Sequence, residues 1–404
     1  MNEISTSRFV AVWSGLVTFS IVSFVFCSTF TIAGTQTSLA VAAVLWIVLF
    51  ASSRSMPPRR TPLDLPMLLF VTVSILAVLF SGRLREGFWN LRNYLLLIAI
   101  YLITSYSRSV ASLRRLFWVL LASACASALY GSAIFLLGRG DGTLGRTSGS
   151  FSNAMTFGGV MLLLCSLMFA LASAPRVRGK LRIGAVIASI ITGLALFFSF
   201  TRSSWLGMFV SVLIVLAIQR KRFIPIFLAG LVLLISLMPG RYRERFTSIF
   251  DPTYRTNVHR IEMLEGGLSI FREHWMIGVG PIDLSELYDE HKPPTAELVF
   301  GHLHNNLLNI AVTMGLLGLA AFVYLFVSFF RLMSSNLALD LPPPERAWVV
   351  GSIAAVAGFL INGLFEWNFA DAEVVTLLYI IVGSNCALGI AWAGNGRRSA
   401  GSSA

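Results

Sequence analysis

The chain has 404 residues, of which 56% are hydrophobic and 12% charged, about half the roughly 25% charge content of a soluble domain. That excludes an ordinary soluble enzyme. Repeated apolar runs about 20 residues long, enough to cross a ~30 Å hydrocarbon core, mark an all-α polytopic membrane protein. The formal charge of +12 would suggest nucleic acid in a soluble protein; here it is read as a topology signal, and no nucleic-acid partner is expected.

Twelve spans are expected, at approximately 9–27, 37–52, 63–81, 91–106, 115–137, 153–174, 183–200, 203–219, 222–238, 305–330, 347–365 and 374–394. The first is longer than a secretion signal's apolar core and lacks a clear small-x-small cleavage site, so it is read as an uncleaved span. With the amino terminus in the cytoplasm, 18 Lys and Arg residues fall in cytoplasmic segments and 6 in the short outer loops. This bias puts both termini inside and residues 239–304 outside. The chain then divides into spans one to nine (1–238), one large outer loop (239–304), and spans ten to twelve with a cytoplasmic tail (305–404). Cys27, Cys125, Cys165 and Cys386 lie in or beside apolar runs, so no disulfide framework is expected.

The cytoplasmic connections are Pro-rich breakers, such as Pro57-Pro58 and Pro342-Pro343-Pro344. The outer side is different. Asp141 to Ser150 is rich in glycine and hydroxyl groups and includes Arg146; such a loop can bring backbone N–H groups to an anion, or be merely flexible. Ser199 to Gly207 makes a tight turn with Arg202 at its tip; an Arg there can snorkel to the interface, but it is flanked by hydroxyls and is the one charge between Arg182 and Arg220.

The segment 239–304 holds all five histidines and closes on Gly301-His302-Leu303-His304-Asn305-Asn306, where the apolar sequence restarts. So long a connection is usually functional or disordered. Val258, Ile261, Leu264, Leu268 and Phe271 recur at helical spacing, which predicts an ordered amphipathic lid lying on the membrane. The interiors of the spans hold no Asp, Glu, Lys, Arg or His, unlike transporters that carry coupling groups at mid-membrane. Chemistry is concentrated at one surface, which favours an enzyme acting there on a lipid-linked substrate.

Arginines suit a lipid pyrophosphate because the guanidinium keeps its charge and binds phosphate in a bidentate manner. His304, at the mouth of span ten, suits proton abstraction, with His302 and Asn305 as secondary candidates. Asp371 and Glu373 are the competing metal reading. A short D-x-E or a lone interfacial histidine can equally be structural.

Three stretches resemble the O-antigen ligase and polymerase superfamily of bacterial membrane glycosyltransferases. Thr201-Arg202-Ser203-Ser204-Trp205-Leu206-Gly207 is similar to the family's (S/T)-R-(S/G)-x-W-L-(G/A) turn. Arg260 to Gly280 is similar to R-x-x-x-W-x-x-A-x-x-x-F-x-x-x-P-x-x-G-x-G, with Leu264 at the aromatic position and Trp275 at the proline. His304-Asn305 through Gly318 is similar to H-N-x-x-L…G-x-x-G.

The resemblance implies a GT-C-like all-helical fold in the bacterial inner membrane, with its active site on the periplasmic face. It implies transfer of a finished O-antigen glycan from undecaprenyl pyrophosphate to lipid A–core, with ordinary membrane lipids around the protein. His304, Arg260 and Arg202 would be catalytic; Arg202, Arg260, Arg146 and Arg255 would bind the pyrophosphate; no metal or other cofactor is expected. The alternatives are an O-antigen polymerase, a protein O-oligosaccharyltransferase, or, from another class, a transporter or flippase for lipid-linked glycan. A basic entrance of Arg83, Arg85, Arg92, Arg241, Arg243 and Arg245 is expected to attract a phosphorylated acceptor, which inclines the reading towards a ligase.

Overall fold

The computed structural model describes residues 3–107, 109–141 and 145–401, with side chains described for all of these except 3–9, 241 and 393–401. Arg108 and residues 142–144 of the glycine-rich loop lie outside the described residues, as do the side chains of Arg8, Arg241, Arg397 and Arg398.

Among the described residues the regular structure is helical, with no strand. The chain runs through α1 (Glu3–Cys27), α2 (Ile32–Ser53), α3 (Asp64–Phe80), α4 (Leu84–Leu91), a 3-10 segment (Arg92–Leu97) continuing into α5 (Ile98–Tyr106), and α6 (Val110–Leu136). Then come α7 (Ala154–Ser173), α8 (Gly179–Phe198), α9 (Arg202–Gln219), α10 (Ile224–Leu237), α11 (Gly240–Thr247), α12 (Arg255–Glu273) and α13 (Ser285–His291). The last three are α14 (Asn306–Leu337), α15 (Pro343–Asn362) and α16 (Ala372–Gly401).

All twelve stretches read as spans are helical. Among the described residues nine helices are long and apolar enough to cross a membrane; the shorter ones are α3, the 3-10 segment with α5, and α10. Helix is the form such runs must take, because hydrocarbon offers no partner for an open backbone. The protein is an all-α, multi-pass membrane protein. Its centre is α7, buried almost throughout and packed against α8, α9, α15 and α16. By contrast α1, α2, α6 and α8 keep most of their apolar surface outward.

Residues 239–304 are ordered as a helical lobe, as expected, and the face of α12 packed inside the protein is not its stripe of large apolar residues. Ile261, Leu264 and Leu268 are exposed. The buried face carries Met263, Gly266, Gly267 and Ile270. Small residues decide it: a Cβ at Gly266 would stand 2.7 Å from the Tyr288 ring, and one at Gly267 would stand 2.8 Å from Leu303 and Leu308. The two glycines let α12 sit directly on α13 and the root of α14, over a small core of Met263, Ile270, Leu284, Tyr288 and Leu303.

The lobe is then fastened to α14 through main chain. Gly315 breaks α14 with φ 65° and ψ −165°, a conformation essentially limited to glycine. The freed amides turn to the segment after α12: Leu316 N–H donates to the Trp275 carbonyl (2.7 Å), while Val279 N–H and Gly280 N–H donate to Val312 and Thr313 (3.0 and 2.8 Å). A side chain at Gly278 would run into the Thr313–Gly315 backbone. This is the physical content of the paired glycine motifs. It also explains why Trp275 can stand where the family has proline: the contact uses its carbonyl, which any residue has.

Candidate active site

The starts of α9 and α14 meet the lobe, α9 through the Arg202 bonds to Ser248, Thr256 and Asn257 and α14 by packing on α12, and the histidine segment leads into α14. His302 and His304 precede α14 rather than lying on it. Asn305 is the N-cap of α14, accepting from Leu308 N–H (3.0 Å), the usual use of Asn at this position; its amide donates to Leu364 O (2.9 Å). Asn306 N–H donates to Gly363 O (2.6 Å), its side-chain amide donates to Asn368 Oδ1 (2.6 Å), and its Oδ1 accepts from Phe369 N–H (3.2 Å). The two asparagines thus bind the α15–α16 connection to the start of α14. Pinned from both sides, His304 holds φ +35°, a left-handed conformation that costs a non-glycine residue about 1–3 kcal/mol. Its Nδ1 lies 2.8 Å from Glu366 Oε1.

His304 lines two cavities. The smaller, about 160 Å³, is also lined by Arg146, Arg202, Arg245, His259 and Arg260, with hydroxyls from Thr201, Ser203 and Thr256. Among the described residues none of its lining groups is acidic. The larger, about 1240 Å³, has an apolar wall from Ile32, Leu39, Ala40 and Leu95. Its polar end carries His302, Glu366, Asp371 and Glu373.

The arginines are not equivalent. Arg202 is 6% exposed, and its terminal nitrogens donate to Ser248 O and Oγ (2.7 and 2.9 Å), Thr256 Oγ1 (2.5 Å) and Asn257 Oδ1 (2.8 Å). It spends its fork on tying α11 and α12 to the start of α9. Arg146 donates to Ser199 O and Thr201 Oγ1 (3.1 and 3.3 Å), and its backbone pairs with Asp141. Burial, with Arg245 nearby, holds the Arg146 guanidinium below its ordinary value. Arg260 lies over the Phe365 ring (5.8 Å); burial lowers its pKa and the opposing charge of Glu366 works the other way.

Arg245, read from sequence only as part of a basic entrance, is inside the cavity. Its Nε, like His259 Nε2, is buried with no hydrogen-bond partner among the described residues. Leaving such a group unmet costs about 1–3 kcal/mol, and the lining of the cavity is cationic. Arg255, expected to bind phosphate, is exposed at the start of α12 and lines neither cavity. One turn of helix separates Arg255 from His259, and the sequence gives no way to tell which turn faces inward.

The basic entrance is only partly present. Arg83 is paired with Glu286 and lies 3.9 Å from Glu86, Arg92 stacks over Trp89 (4.1 Å), and Arg85 and Arg243 are exposed.

His302, a secondary candidate from the sequence, lies beside His304. The segment is not helical, and the rings lie 4.4 Å apart. Burial, then the neighbouring His304, push the His302 pKa down. A metal can be tested against these groups. His302, His304 and Glu366 offer three ligand atoms within 4.8 Å of one another, while His304 Nδ1 is already 2.8 Å from Glu366 Oε1. Asp371 instead accepts from Thr156 Oγ1 (2.5 Å).

Fold and site together define a multi-pass membrane protein with a cationic pocket and a histidine at one end of its helical bundle. Residues 187–323 match the model of a family described as O-Antigen ligase. The match runs from α8 into α14 and takes in Arg202, Arg245, Arg260 and His304. The likeness to the O-antigen ligase and polymerase superfamily is borne out over this stretch, and it supports a membrane enzyme of glycosyltransferase type. No curated protein matches the chain.

Proposed function

We propose that the protein is an O-antigen ligase. In this reading it works at the periplasmic face of the bacterial inner membrane, with both termini in the cytoplasm. It moves glycan from undecaprenyl pyrophosphate to lipid A–core. The observation that carries the reading is the position of His304 in the wall common to the cationic cavity and the larger, half-apolar one. The pyrophosphate would occupy the first, against Arg260, Arg245 and Arg146, and the acceptor sugar would enter by the second. Arg202 would add charge and hold α12 in place.

His304 takes the proton of the acceptor hydroxyl as its oxygen bonds to the anomeric carbon. The bond to the pyrophosphate oxygen breaks on the opposite side, so the anomeric centre inverts. Pyrophosphate leaves as an anion that the arginines stabilise, a preorganised electrostatic contribution that requires no metal.

The test is a purified reaction with lipid-linked glycan and lipid A–core. Wild-type protein should transfer glycan in the presence of EDTA, and His304→Ala should lose about 10²–10⁴-fold of the rate, the usual worth of a general base. Normal turnover by that variant removes His304 as the base. A requirement for restored Mg²⁺ or Mn²⁺ would favour a metal mechanism instead.

A further inference from the structure

Glu366 has no role in the chemistry above, yet it is the carboxylate that touches His304. Resting on the reading of His304 as base, we infer that Glu366 is its positioning residue, holding the imidazole in one orientation and one tautomer and offsetting the charge it gains during transfer.

The contact is short and enclosed. His304 Nδ1 and Glu366 Oε1 are 2.8 Å apart, and the two side chains are 22% and 13% exposed. The carboxylate is itself held, since Trp367 N–H also reaches Oε1 (3.3 Å). The loop that carries it is bonded to Asn305 and Asn306 at Gly363, Leu364 and Phe369. The same two asparagines therefore set the backbone of the histidine and the place of its partner.

A neutral imidazole carries one N–H and one free lone pair. With Nδ1–H donated to Glu366, Nε2 is the basic nitrogen. The acceptor proton passes to Nε2 as the new glycosidic bond forms and the bond to pyrophosphate breaks. The imidazolium then faces the Glu366 carboxylate, and it later returns its proton to water. The other charged and titratable groups around the pair are Arg146, Arg202, Arg245, His259 and Arg260 on the small-cavity side. On the large-cavity side they are His302, Arg92, Asp371 and Glu373. Cations dominate the first group, so the carboxylate is what makes one more positive charge, on His304, tolerable.

The experiment uses the full-length purified protein and the transfer assay. Glu366→Gln should lower kcat on the order of 10²-fold or more, as loss of a base-orienting carboxylate does, with the KM for donor changed less than about 3-fold. The acid limb of its pH–rate profile should move to lower pH, because the neighbour that favours the protonated ring is gone. Glu366→Asp should recover part of kcat and keep the acid limb in place. On a His304→Ala background, Glu366→Gln should cost nothing further, since a residue that acts through another is silent without it.

Wild-type kcat with an unmoved acid limb in Glu366→Gln overturns the inference, as does a full additional loss in the double variant. If Glu366→Gln does not accumulate, Glu366→Asp decides it: reduced kcat at constant KM supports the role, and wild-type kcat removes it. A fully active His304→Ala would instead remove the reading on which this rests.

Discussion

At the scale of single residues, the arginines that look alike in sequence separate by how their hydrogen bonds are used. Arg260 and Arg245 present charge to the cavity, so Arg260→Ala and Arg245→Ala should each lower transfer by about 10²–10³-fold, the scale seen on losing one anion-stabilising donor. Their thermal stability in detergent should stay near wild type. Arg202→Lys keeps the charge but loses the planar fork that binds Ser248, Thr256 and Asn257. It should lower both activity and melting temperature, whereas Arg260→Lys should lower activity alone. Arg255→Ala should be nearly silent in both assays.

His302 adds a pH dependence. Its pKa is lower folded than unfolded, so the unfolded chain binds more protons as pH falls. Stability should be fully present above the ordinary histidine value of ~6.5 and be lost below it. Melting temperatures of wild type and His302→Gln across pH 5–8 check this, the variant giving the flatter curve.

At the scale of elements, the two halves of the glycine pattern do one job. Gly278 and Gly280 run beside α14 at the point where Gly315 opens it. Gly315→Ala puts a Cβ where the conformation excludes one and should cost about 1–3 kcal/mol, read as a lower melting temperature. Because the first half of α14 begins beside His304, turnover should fall as well. Gly318→Ala makes a useful comparison, since its nearest neighbour is the side chain of Met314 within the same helix, not the backbone of the lobe.

At the scale of the whole molecule, the histidines and the cavity arginines are gathered at one end of the bundle, and the charge bias of the loops makes that end the expected periplasmic one. Cysteines placed at Asp141, Asp251 and Asp371 should react with an impermeant thiol reagent in intact cells, and cysteines at Pro57 and Pro343 should not. The reverse pattern would put the site in the cytoplasm and end the proposed reaction.

Ligase and polymerase would share donor, arginines and base, and differ in acceptor. Deleting the gene from its host should leave rough lipopolysaccharide while long glycan accumulates on undecaprenyl pyrophosphate. A single repeat unit that still reaches the core would identify a polymerase.

The sequence by itself determined the membrane class, the helical nature of the twelve stretches and the convergence of Arg146, Arg202, Arg260 and His304. Apolar runs of spanning length have one stable form in lipid, and the motifs are local enough to read. Tertiary structure decided the rest. The packed face of α12 follows two glycines that carry no hydropathy signal. Arg245 enters the cavity and Arg255 leaves it because a helix turns about 100° per residue and its rotation is set by what it packs on. Glu366 reaches His304 across 62 residues through asparagines whose partners no periodicity reveals. Contacts of that kind exist only once distant backbone segments are fixed against one another, and so they leave no mark on the local pattern of the chain.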